Sequence, residues 1–273
     1  MEPTARRLFQ LVEPIHVVTY FSDEPTDALM ALGHRNYWDG YFASRAAPLG
    51  RVPAGVVHAI FYNFADGEVS RHIPRVWDTA SPEDALAARE RGSVAALRRI
   101  LGDLADTPAL ARAAELATKA ATGAPTEGRV LYAALRTLRV PEEPVARLWH
   151  AATLLREHRG DGHIAALVAA GIGGTQSHVL HALSQGIPAE KFGRVHHLPA
   201  AQLAAVVDGM RARGLIGESG WLTDAGRESK ERIESLTDDL AAPAYDSLMP
   251  SELDELITNL MPISAALNAA GSR

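Results

Sequence analysis

His58, Tyr62 and His72 are the side chains of this sequence best suited to moving protons. An unperturbed imidazole titrates close to neutral pH, which suits a general acid or base. His58 and Tyr62 are four residues apart in AGVVHAIFYNF, the spacing that puts two side chains on one face of a helix. A second set, His34, Trp38, Tyr41 and Arg45, recurs at intervals of four, three and four, and so predicts one stripe along a helix. Phe61 and Arg75 extend this set. Together they would form a pocket for a small planar or apolar ligand, with an arginine meeting a carboxylate or phenolate and the aromatic rings holding its body. The competing expectation is that the rings fill a helical core while the histidines bond backbone carbonyls. Of the sixteen aromatic residues eleven lie at or before Trp77, which places any such pocket in the first part of the chain.

A second group of chemical interest runs from His150 to His163, where His150, Thr153 and Glu157 share a helical face and His158, Asp161 and His163 follow. It lacks His-Glu-x-x-His or any other recognised ligand spacing, so no metal is assigned, and Glu157, Arg159 and Asp161 are expected to lock a turn by charge-assisted bonds. There is no cysteine, which removes disulfides, thiolate metal sites and cysteine nucleophiles. No Gly-x-Ser-x-Gly elbow is present, and the glycine-rich AGIGGTQSH follows no strand, so it is a weak phosphate-loop signal. The sequence identifies no cofactor; haem held by one of the N-terminal histidines is a variant for which no attachment motif exists.

These residues must be positioned by helices. Thr4 to Phe21 reads as a first helix interrupted by Pro14, and Ser22-Asp23 with Pro25 opens a second that keeps helical spacing to Ser44. Pro53 starts a third. Ser81-Pro82-Glu83-Asp84 caps a helix to about Leu101, Thr107-Pro108 starts the next, and 123–128 is the best linker. Pro144 opens a helix joining the two halves, Arg159-Gly160-Asp161-Gly162 is expected to turn the chain, and Gly173-Gly174-Thr175 to turn it again. Ser251 and Asp254 read as a capping pair for a last helix, followed by a frayed AALNAAGSR tail.

The most sharply punctuated stretch is LPAAQLAAVVDGMRARGLIGESGWLTDAGRESKERIESLTDDL, from Leu198 to Leu240. Pro199 stands at a helix start, Leu203, Val206, Val207 and Met210 recur on one face, and Gly214 stands where a left-handed cap ends the helix. Leu215-Ile216 and Trp221-Leu222 flank the turn-forming Gly217-Glu218-Ser219-Gly220, and Thr223 caps a further helix. The run RGLIGESGWLTDAGRE resembles the signature of MarR-like winged-helix proteins, through Arg213, Gly214, Leu215, then Leu222, Thr223, Gly226 and Arg227. The whole chain is similar to an actinobacterial helix-turn-helix-containing family of about this length, through YFASRAAPLG and LREHRGDGHIAAL. The expected fold is all-α with a small β-hairpin wing: a helical domain at 1–143 in which the aromatic stripe would bind a ligand, a winged-helix domain at 144–240 as the MarR-like resemblance implies, and a C-terminal helix and tail at 241–273 that by the same resemblance would pack between the subunits of a homodimer.

Two functions follow. The first is a small-molecule-binding protein whose winged helix is not used on DNA, with an enzyme of actinobacterial specialised metabolism as its narrower form. The alternative is a MarR-like, ligand-responsive regulator that binds DNA as a dimer, with Arg194, His196, His197, Gln202 and Arg213 on the duplex. Composition favours the first: 144–240 carries Lys+Arg 10 against Asp+Glu 11, the helix starts Pro199-Ala200-Ala201, and the turn presents Glu218, where phosphate contacts need cations. The net charge of -6 points the same way. No run reaches membrane length and MEPTARRLFQLVEPIHVV lacks a basic segment followed by a sustained apolar core, so the expected location is cytoplasmic, without a membrane partner.

Overall fold

Local capping sets most of the helix boundaries. The Ser81 hydroxyl accepts the Asp84 N–H at 3.1 Å while the Asp84 carboxylate reaches back to the Ser81 N–H. Thr107 accepts from Leu110 N–H, Glu143 from Ala146 N–H and Thr223 from Gly226 N–H, each satisfying an amide that the first helical turn leaves free. The computed structural model describes residues 4–193, 195 and 198–271. Among them it forms α1 (Thr4–Phe21), α2 (Asp23–Met30), α3 (Tyr37–Ala46), α4 (Ala54–Phe61), α5 (Pro82–Leu101), α6 (Pro108–Gly123), α7 (Val130–Leu135), α8 (Pro144–Ala169), α9 (Gly174–Ser184), α10 (Ala200–Ala212), α11 (Asp224–Ala241) and α12 (Pro250–Gly271). The fold is all-α.

Several boundaries differ from the sequence reading. The helix expected to run from Pro25 to Ser44 is broken: α2 ends at Met30, Gly33 takes φ +98°, and the Asn36 side chain caps a new helix by accepting from Asp39 N–H at 3.0 Å. The expected turn at Arg159-Gly160-Asp161-Gly162 is the interior of α8, an unbroken helix of 26 residues. Tertiary contacts hold it there: the Asp161 carboxylate accepts the Tyr132 N–H at 2.9 Å, and Arg129 donates to the His158 carbonyl at 2.5 Å and the Leu240 carbonyl at 2.6 Å. At the last helix Glu252, not Ser251 or Asp254, takes the free amide, accepting from Met249 N–H at 2.8 Å, and α12 continues through the tail to Gly271.

The β-hairpin wing is absent among the described residues. Leu215-Ile216 and Trp221-Leu222 do approach each other, but they make one antiparallel bridge, Ile216 with Leu222, and no strand. Gly217 N–H donates to the Trp221 carbonyl at 2.9 Å and Thr223 N–H to the Leu215 carbonyl at 3.1 Å. Two residues a side are too few to extend a ladder, which gains stability from length and from a third strand or a packed face. Gly226 is required where it stands, since a Cβ there would lie 2.2 Å from the Leu215 carbonyl oxygen. The Leu-Thr-x-x-Gly spacing thus reflects α11 packing hard against this turn.

Two apolar cores share α8. The larger gathers α1, α3 to α7, the first half of α8 and α12, with Leu8, Ile15, Phe42, Leu97, Leu110, Leu148 and Leu260 fully buried. Ala113, Ala114, Ala117, Ala120 and Ala121 on α6 are also fully buried, and their small side chains let α6 lie close against α8. The smaller core is built from Ala166, Leu167, Ile172, Val179, Leu180, Met210, Leu215, Ile216, Leu222 and Ile233. The apolar face of α12 packs on α1 and α6 of its own chain, through Leu256, Leu260, Ile263 and Leu267, so that face is already covered without a second subunit. No helix among the described residues is long and apolar enough to cross a membrane.

Candidate functional site

Where the two cores meet, the second half of α8 turns a charged face toward the ends of α3 and α4 and toward α9 and α11. These elements enclose a cavity of about 350 Å³. Arg156, Glu157, Asp161 and His163 come from α8, Arg45 from α3, Phe61 and Tyr62 from the end of α4, His178 and His181 from α9, and Lys230 and Glu234 from α11, with Phe192 closing one side.

Glu157 organises the charge. It is 2% exposed, its Oε1 accepts from Arg156 Nη1 at 3.0 Å, and its Oε2 lies 3.6 Å from Arg45 Nη2. Burial pushes the carboxyl up, but Arg156 and Arg45 overcome it and bring it down to about 2, so Glu157 is an anion at neutral pH. Arg156 also faces Glu13, Nε to Oε2 at 3.4 Å. Arg45 donates to the Tyr41 hydroxyl at 2.9 Å and lies 4.2 Å from the centre of the Phe61 ring, a cation over an aromatic face. Burial works against its charge, but the Tyr41, Glu157 and Tyr20 oxygens outweigh it and hold Arg45 above its ordinary pKa. The Arg45 Nε is buried with no hydrogen-bond partner.

The far wall is more basic in make-up. Burial depresses His163 to about 4, and its Nδ1 lies 2.9 Å from the Thr237 hydroxyl. His181 is lowered by burial and by Lys230. His178 Nε2 donates to the Asn63 carbonyl at 3.1 Å. Glu234 is brought down to about 2, burial being overcome by Lys230, which bonds it directly, and Arg159 donates to it at 3.0 Å. Asp161 moves the other way, up to about 6: burial dominates, Glu157 repels, and the bond from Tyr132 N–H offsets only part. The cavity therefore sets guanidinium and ammonium groups, each beside a carboxylate, against aromatic surface and neutral imidazoles. A cation with a free N–H next to an aromatic face is chemically suited to a planar anion. Among the described residues no three of His, Asp and Glu converge as metal ligands.

The sequence-derived candidates are divided among several places. Arg45, Phe61 and Tyr62 line the cavity, and Tyr41 supports Arg45 from behind. Tyr62 does not share a helical face with His58, because α4 ends at Phe61 and Tyr62 turns to φ +61°. Its hydroxyl donates to the Ile172 carbonyl at 2.5 Å, and Gly174 packs so closely that a Cβ there would lie 2.1 Å from the Tyr62 carbonyl oxygen. His58 lies 3.6 Å from Asp66. His72 Nδ1 is 2.6 Å from Asp39 Oδ1, stacked on Phe42 at 4.7 Å, and Arg75 Nη2 lies 3.3 Å from the same carboxylate. Each of the three proposed acid–base groups thus has its own partner, and of them only Tyr62 lines the cavity.

His34 falls in the break before α3, not on a stripe with Trp38, Tyr41 and Arg45; it is buried, and burial lowers its pKa. Trp38 is partly exposed and packs edge-on against Tyr37 and Tyr41. Of the DNA-facing set, Gln202 is exposed on α10, and Arg213, also exposed, lies along the surface and donates to the Gly171 carbonyl at 2.7 Å and the Ala170 carbonyl at 3.2 Å. Arg194, His196 and His197 lie outside the described residues.

Sequence reasoning did not join Arg156, Lys230 and Glu234 to a site. The available signal was Arg156-Glu157 directly after Leu154-Leu155 in a long helix, since a charged pair beside buried leucines needs partners from other elements.

Fold and site define an all-α protein with a charge-lined cavity between a larger helical core and a smaller one. The chain belongs to a helix-turn-helix family, whose model matches residues 5–273. No curated protein and no solved structure matches it.

Proposed function

We propose that this chain is a small-molecule-binding member of the helix-turn-helix family, and that a planar organic anion occupies the cavity between the two cores. The observation that carries this reading is Arg45, a buried guanidinium on the face of Phe61 with its Nε unpartnered at the cavity wall. A carboxylate or phenolate would take that N–H and one from Arg156, while its ring lay against Phe61 or Phe192. In this proposal Arg45 and Phe61 of residues 1–143 share the ligand with Arg156 and Phe192 of residues 144–240, which follow the MarR-like winged-helix plan with the wing reduced to a bridged turn, and α10 is not used on DNA. Its outward residues Ala200, Ala201, Ala204, Ala205 and Asp208 offer methyl and carboxylate groups, and Arg211 is paired to Asp208 at 2.8 Å. Phosphate recognition needs cations there.

Calorimetric titration with 4-hydroxybenzoate and related aryl carboxylates tests the reading. Wild-type protein should bind at least one of them, and Arg45→Lys should weaken it by roughly 10-fold or more, because a lysine loses the planar fork. Equal affinity in the variant refutes the assignment.

A second reading, a ligand-responsive regulator acting as a homodimer, draws support from the cavity's position. Because α8 runs through both cores, occupancy would bear on the α9–α11 unit. It requires DNA retention that weakens steeply with salt.

A further inference from the structure

A second cavity, of about 340 Å³, lies between α5, the segment after α7 and the first half of α8. Its apolar walls are Leu86, Leu135, Leu138 and Trp149, and Arg89, His150 and Thr153 line it as well. Arg89 is 2% exposed, yet no carboxylate lies within 4 Å of it among the described residues. Its Nη1 donates to the Ser44 carbonyl at 3.4 Å and its carbon centre lies 5.4 Å from the Trp149 ring, but Nε and Nη2 are buried with no hydrogen-bond partner. Nε2 of His150, a residue 4% exposed, is likewise unpartnered. A buried guanidinium without a counterion costs several kcal/mol, and unmade hydrogen bonds add to that cost. Arg89 and His150 thus bring three unpartnered nitrogens to one cavity with leucine and tryptophan walls.

We infer that this cavity is a second ligand site, which takes a small aromatic monocarboxylate. The carboxylate oxygens accept from Arg89 Nε and Nη2 as a fork and from His150 Nε2–H, and the ring packs between Trp149 and the leucines. Glu83 and Glu90 also line the cavity. They oppose a dianion such as phosphate, so the anion is singly charged and its tail apolar. The inference stands apart from the junction cavity, whose arginines it does not use.

Benzoate and inorganic phosphate, titrated separately into the full chain, test it with Trp149 fluorescence as a local reporter and calorimetry as the measure of affinity. Benzoate should change the fluorescence, the change should vanish in Trp149→Phe, and phosphate should produce none. Arg89→Met should weaken the response by roughly 10- to 100-fold, and Leu138→Trp, which fills the cavity while leaving Arg89 in place, should abolish it. Arg45→Lys should leave it unchanged, which separates this site from the junction cavity. The inference is overturned if benzoate gives no Trp149-dependent response in wild-type protein, or if Leu138→Trp binds it as well as wild type. Should Arg89→Met fail to fold, the Leu138→Trp result decides.

Discussion

His16 Nδ1 and the Thr153 hydroxyl lie 3.1 Å apart, on α1 and α8, with both residues buried. The other ring nitrogen of His16 lies 3.9 Å from Glu157 Oε1. Thr153 lines the Arg89 cavity and Glu157 lines the junction cavity, so His16 joins the two through a buried polar layer. Burial first, then Arg156, holds His16 well below the usual imidazole range, and it stays neutral. We expect His16→Leu to leave the helical circular dichroism intact, to destabilise the chain by about 1–3 kcal/mol through the unsatisfied Thr153 hydroxyl, and to lose most of that penalty in the double variant with Thr153→Val. Denaturant titration of the three variants measures it, and additive losses would refute the coupling.

Acid should unfold the protein early. Burial depresses His150 and His163 to about 4 and His158 to about 3, with Arg89 and Arg136 adding to the first and Arg129 to the last. An unfolded histidine titrates near 6.5, so below that value the unfolded chain binds more protons and stability falls as pH drops. Asp161, raised to about 6, acts in the opposite sense but is a single group. Glu157, Glu234 and Asp39, each brought down to about 2, lose their contribution only below about pH 4.5. We expect the melting temperature to fall steadily from pH 7 to pH 5, with a net uptake of about two protons on unfolding near pH 5. A flat profile over that interval would show that these histidines are not buried as neutral groups.

Glu157→Gln should be costly. The substitution leaves Arg156 and Arg45 facing a neutral amide in a buried site, with Glu13 left as Arg156's other acidic partner. Breaking a buried ion pair from one side costs about 3–5 kcal/mol, and chemical denaturation should show a loss of that order. Arg45→Gln added to it should recover part, because the removed cation no longer lacks a counterion.

The continuous α8 makes an opposite prediction for two glycines. At Gly160, inside the helix, an added methyl meets Glu157 Oε2 at 3.4 Å, ordinary contact, so Gly160→Ala should stabilise by up to about 1 kcal/mol through helix propensity. At Gly226 the methyl would press on the Leu215 carbonyl at 2.2 Å, so Gly226→Ala should destabilise and displace the turn between α10 and α11. Thermal melts of the two variants moving in the same direction would contradict this arrangement.

Helix starts were legible in the sequence because they are local. Ser81, Thr107 and Thr223 each bond an amide three residues on, so the cap and its partner are read from one short stretch, whereas for α8 the sequence showed Pro144 but not the Glu143 cap. The amphipathic spacing of α10 and its glycine end were readable for the same reason, and so was the methyl-rich start of that helix. Arg45 and Phe61 were recognisable as candidates for a planar or apolar ligand and Tyr62 as an acid–base candidate, although not as neighbours of α9 and α11.

Tertiary structure decided the rest. Arg159-Gly160-Asp161-Gly162 has the composition of a turn, yet Tyr132 and Arg129, distant in sequence, satisfy Asp161 and the His158 carbonyl and keep α8 helical. The four-residue spacing of His58 and Tyr62 implied a shared face, but the close approach of Gly174 and the Ile172 carbonyl pulls Tyr62 off the helix end. Two residues on each side of a turn looked like a wing, and without a third strand they form a single bridge. Side-chain type and short-range spacing therefore determined where helices begin and which groups could bind an anion. Long-range burial determined which of those groups are gathered into a site, because leaving a buried charge or amide unpaired costs more free energy than local propensity supplies.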